Sequence, residues 1–176
     1  FYKHDSPYTY FSSKELHLGE ISLECSRPGA AAVGLWATQR LMPLVKGGEF
    51  ASMLTKCRTA ALAFYQKLQK DRRFLTAFAP ELDIVVWMPK AARVSESSEI
   101  SRLLFSEAAH RDLHLALTEL PVRFFDTAGA GIKRDSETVT CLRSVLMKPD
   151  HLEWVQRIWE IMDRSTGAVL ERRGAQ

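Results

Sequence analysis

The chain has 176 residues, 46% hydrophobic and 26% charged. That is enough apolar material for one domain, or one domain plus a piece of another, and too much for a disordered chain. Lysine and arginine total 24 against 21 acidic residues, a net charge of +3, with short basic clusters only at Arg72-Arg73 and Arg172-Arg173. Such scattering argues against a nucleic-acid partner.

No apolar run approaches the roughly 20 residues of a membrane span, and no N-terminal segment has the form of a signal peptide. Cys25, Cys57 and Cys141 are odd in number, far apart and set among apolar residues. They read as reduced core thiols of a cytoplasmic protein rather than a disulfide or zinc framework. The chain begins at Phe1 rather than Met, the mark of a cut product or of part of something longer.

Residues 1–18, rich in Tyr, Ser, His and Pro, have no steady period and read as a long loop, a place where function often resides. Ile21 to Cys25 alternates like a short strand and runs into Ser26-Arg27-Pro28-Gly29, a capped helix start. The following AAAVGLWATQRLM is apolar nearly all round, as in a helix buried on every side or packed closely on a partner. Pro43 and Gly47-Gly48 interrupt it. A new helix is predicted from Glu49, with Phe50, Met53, Leu54, Cys57, Ala61, Phe64 and Leu68 on one stripe, which sets a domain boundary at the double glycine: 1–46 and 47–176.

Beyond the boundary strands and helices alternate. LDIVVWM (82–88) predicts a buried strand ended by Pro89. Residues 97–117 predict a helix with Ile100, Leu104, Ala108 and Leu115 inward. Short strands are predicted at 122–125 and, after the flexible TAGAG loop, at 138–147. The last helix starts at Asp150, where Asp150 and Glu153 are spaced as a capping box and Leu152, Val155, Ile158, Trp159 and Met162 share a face. This order implies an α/β sandwich with helices over one face of a small sheet.

Three places carry candidate chemistry. Ser26 and Arg27 at a helix start suit a phosphate, although a capped helix with a surface arginine is the commoner explanation of such a pattern. On TVTCLRSVLM, alternation puts Arg143 on one face with Val139, Cys141 and Val145. A guanidinium on an apolar face needs an anion, either a structural carboxylate or a substrate's. Tyr2, Tyr8 and Tyr10 lie in the first loop, where a phenol either donates a proton or merely packs. Glu107, His110 and His114 have helical metal-ligand spacing but lack the HExxH order and a second ligand cluster, so no metal is expected.

LHLGEISLECSRPGAAAVGLWAT (16–38), followed by LRSVLMKP (142–149), resembles the group II pyridoxal-phosphate-dependent amino-acid decarboxylases, which include the glutamate, aromatic-amino-acid and tyrosine decarboxylases. The likeness runs in order along essentially the whole chain. It implies the C-terminal portion of a fold-type I enzyme: 1–46 as the tail of the large cofactor domain and 47–176 as the small α/β domain. By the same resemblance Ser26, with Arg27 beside it, helps hold the cofactor phosphate, in several members from the neighbouring subunit. Arg143 would bind the substrate's α-carboxylate. Tyr8 or Tyr10 would protonate the substrate carbon after carbon dioxide leaves.

The implied activity is pyridoxal-phosphate-dependent release of carbon dioxide from an L-amino acid by a homodimer. The family's Schiff-base lysine follows a histidine; here Lys3-His4 is reversed and lies after the place where that pair belongs, so the lysine is expected upstream. Two other readings stand beside this one: a non-catalytic truncated homologue serving as a dimerisation module, and a different fold-type I activity.

Overall fold

The structure is a computed structural model that describes residues 28–174. The chain divides into two units at Ala51/Ser52. In the first, helix α1 (Pro28–Leu41) starts with proline at its first position, where the missing N–H costs nothing. Its Val33, Leu35, Trp36 and Leu41 are all more than half exposed. A turn follows in which Gly47 takes φ +76°, the left-handed region open to glycine. Helix α2 (Glu49–Lys70) begins immediately after Gly48.

The second unit contains the sheet and its core. Strands β1 (Phe74–Thr76), β2 (Ile84–Pro89), β3 (Ala116–Pro121) and β4 (Thr138–Val145) form one antiparallel sheet in the order β1-β2-β4-β3. Helices α2, α3 (Val94–Ala109) and α4 (His151–Gly174) supply the residues that cover one face. Ala60, Ala61, Phe64 and Leu68 of α2, Leu104 of α3, and Val155 and Met162 of α4 pack there on Phe74, Val85, Trp87 and Leu142. Phe74 and Trp87 meet edge to face at 5.1 Å, and Phe64 meets both Trp87 and Trp159 in the same manner.

The opposite face is covered at one end. There Val94, Val122, Phe125 and Ile132 pack over Val86, Met88, Val139 and Cys141. Strand β2, central in the sheet, is thus buried on both sides, which is why its sequence is a continuous apolar run rather than an alternating one. Cys57 and Cys141 are buried free thiols, and burial pushes the Cys141 thiol up to about 11.

Five expectations fail for identifiable reasons. Leu54 lies on the predicted stripe of α2 yet is 55% exposed, because buried contact on this helix begins only at Cys57. Helix α3 starts at Val94 rather than 97, and its end is held from afar: Asp135 accepts from the Ser95 N–H and hydroxyl, 40 residues away in sequence. The same helix stops at Ala109 instead of running to 117. Asp112 then takes φ +59°, and Ala116–Pro121 leaves the helical pattern to pair along six residues of β4. With that strand formed, 122–125 becomes a 3-10 turn, Val122–Phe124, where a strand is predicted. Strand β1 is absent from the sequence reading, since three residues carry too little pattern to identify. Among the described residues no side-chain bond joins Asp150 to Glu153; the Glu153 and Trp154 N–H groups instead donate to the Asp150 carbonyl.

Candidate functional site

Arg143 sits late on β4, opposite Val86 of β2 and Ala116 of β3. Its neighbours on that face, Val139 and Cys141, are buried under the cover described above, as alternation requires. The cover ends before Arg143, which is exposed. The expected burial is therefore not realised, and no carboxylate among the described residues pairs with the guanidinium. Among the described residues Arg143 forms no ion pair and no side-chain hydrogen bond. An exposed cation on the open end of an apolar face is free to take an anion from outside the domain.

The acid and two histidines with metal-ligand spacing are not held on one helix. His110 caps the end of α3 and His114 lies beyond it. Glu107 is engaged by Arg172 and Arg111, and the Arg172 guanidinium, foremost, holds its carboxyl below the usual range. Glu107 and Arg172 line a groove of about 550 Å³ between α3 and α4, in which Arg173 is likewise matched by Glu99 at 2.7 Å. A second pocket, of about 570 Å³, opens between the turn after α3, the end of β4 and the first half of α4. Sequence reasoning misses it because its walls come from three segments, none with a motif of its own.

Known structures supply the frame for these observations. Oryza sativa TDC, solved with PLP and tryptamine, superimposes with a TM-score of 0.56 at 16% identity, over 76% of this chain and 25% of that one. Catharanthus roseus tryptophan decarboxylase, solved in complex with L-tryptophan, gives 0.53 at 20% identity, over 78% of this chain and 26% of that one. The fold is that of the C-terminal portion of these decarboxylase chains. The present chain spans about a quarter of their length. No family model matches the sequence, and no curated protein does.

The remaining residues assigned by resemblance, Tyr8, Tyr10, Ser26 and Arg27, lie outside the described residues. What the described part offers toward a phosphate is the start of α1, directly after Arg27. A helix beginning at Pro28 turns its first-turn N–H groups toward that end, the arrangement that favours an anion. Among the described residues no helix is long and apolar enough to cross a membrane.

Proposed function

We propose that this chain is the C-terminal part of a pyridoxal-phosphate-dependent amino-acid α-decarboxylase that acts in the cytoplasm as a homodimer. One observation carries the reading: in a chain with the fold of decarboxylase C-terminal portions, the arginine that resemblance assigns to the substrate carboxylate is exposed and, among the described residues, unpaired. Arg73, Arg111 and Arg172, by contrast, each have a carboxylate beside them.

Pyridoxal phosphate, when bound, supplies the electron sink for carbon dioxide loss. The chain's own residues do the positioning. Arg143 holds the α-carboxylate and so fixes which bond to the α-carbon is presented for cleavage. Ser26 and Arg27 hold the cofactor phosphate, with the start of α1 adding backbone donors. Tyr8 or Tyr10 delivers the proton that replaces carbon dioxide.

The test is carbon dioxide release from a panel of L-amino acids by the full-length protein, compared with Arg143→Ala and Arg143→Lys. A charge-assisted hydrogen bond is worth roughly 1.5–3 kcal/mol, so Arg143→Ala should lose about one to two decades in kcat/KM. Arg143→Lys should recover part of the loss, and cofactor absorbance should be unchanged in both. Equal turnover by Arg143→Ala would remove the assignment.

A further inference from the structure

The pocket at the end of β4 combines an apolar floor with cations that nothing in the described chain neutralises. Its floor is built by Leu113 and Leu115 of the turn, Leu146 after β4, and Ile158 and Ile161 of α4. Trp154, half exposed, adds an aromatic wall. Lys148 and Arg157 stand at its edge, and among the described residues neither side chain has an ion-pair or hydrogen-bond partner. Asp112 is the single carboxylate among the lining residues, while Arg111, also at the edge, is held by Glu107 at 2.9 Å.

The neighbouring groove between α3 and α4 sharpens the contrast. It is of similar size, but Arg172 and Arg173 are each matched by a glutamate within it. Its charges are spent on holding two helices together. At the β4 pocket Lys148 and Arg157 have no such partner among the described residues, and the other lining residues are largely apolar. A volume of about 570 Å³ is in the range of small-molecule sites, which are mostly apolar with a few placed polar groups.

We propose that this pocket binds a small anionic amphiphile. A carboxylate or phosphate head lies between Lys148 and Arg157, and an apolar body rests on Leu115, Leu146 and Ile158. The anion gains two charge-assisted contacts, and the body removes exposed apolar surface from water. A cationic or neutral molecule of the same shape gains only the second term. The site lies within the second unit, and the inference does not depend on the decarboxylase reading.

Octanoate, octyl phosphate, octylamine and octan-1-ol are the probes, titrated into the 176-residue chain by calorimetry and by amide NMR shifts. The expected result is saturable binding of at least one anion, with shifts concentrated in 111–115 and 144–161. Octylamine and octan-1-ol should bind at least about tenfold more weakly or not at all, since both charge-assisted contacts are lost. Tighter octanoate assigns a carboxylate head, and tighter octyl phosphate a phosphate head. The double substitution Lys148→Glu and Arg157→Glu should abolish anion binding; should it perturb folding, Lys148→Gln with Arg157→Gln replaces it. No saturable binding by either anion, shifts confined to other residues, or octylamine binding as well as octanoate would each overturn the site.

Discussion

Trp87 is fully buried at the centre of the sheet, and its indole N–H donates to the Ser144 hydroxyl at 3.0 Å. A buried donor stripped of its acceptor bears its whole desolvation cost, about 1–3 kcal/mol, far more than the net worth of an ordinary hydrogen bond. Ser144→Ala should therefore lower unfolding stability by about that amount in urea, with the slope of the transition unchanged. A loss below a few tenths of a kcal/mol would mean that the indole finds another acceptor. Ser144 is the residue after Arg143, so strand alternation that sends the guanidinium to the open face sends this hydroxyl to the helix-covered one. The alternation is plain in TVTCLRSV. The partner, 57 residues away, is not, since only the pairing of β2 with β4 brings Trp87 opposite Leu142 and so beside Ser144.

Helix α4 is long and regular despite Gly167 in its interior, where an added methyl group would meet nothing within 4 Å. Glycine in mid-helix costs roughly 0.5–1 kcal/mol relative to alanine through lost backbone freedom. Gly167→Ala should accordingly raise the thermal midpoint by about 1–4 °C in a scanning experiment. Another link holds α4 to the opposite corner of the domain: Arg73, entering β1, donates to Asp71 and to Asp163 on α4. The hydrogen bond from Arg73 is the main cause that holds the Asp71 carboxyl below its usual range. A carboxyl lowered in the folded state binds fewer protons than in the unfolded chain. Its contribution is complete above the unfolded value near about 4 and disappears as pH falls through the lower folded value. Urea midpoints measured from pH 6 to pH 2 should fall less steeply below pH 4 in Asp71→Asn than in the parent. Parallel curves would show that the pair has no net effect.

At the scale of the whole molecule, the described residues of both hydrophobic clusters run from Ala60 onward. The second unit thus has its own core. A chain of residues 47–176 should unfold in one cooperative transition within a few degrees of the parent; a non-cooperative melt would show that the first segment is part of the folding unit. Local patterning determined a good deal: α2 and α4 from their apolar stripes, β2 and β4 from their β-branched runs, the break at Gly47, and Arg143 as a cation on an apolar strand face. The resemblance of 16–38 and 142–149 to decarboxylases pointed to the fold that the structural comparisons show. Tertiary structure alone decided the rest. Residues 116–121 became a strand because β4 offered six paired positions, against a helical pattern that offered only local bonds. Helix α3 began three residues early because Asp135 arrives from a distant loop. Arg143 was left exposed because the cover over its face ends short of it, and the pocket at Lys148 and Arg157 exists only where three segments meet. Periodicity reports which side of an element is apolar; how far another element extends over that side is set by contacts remote in sequence.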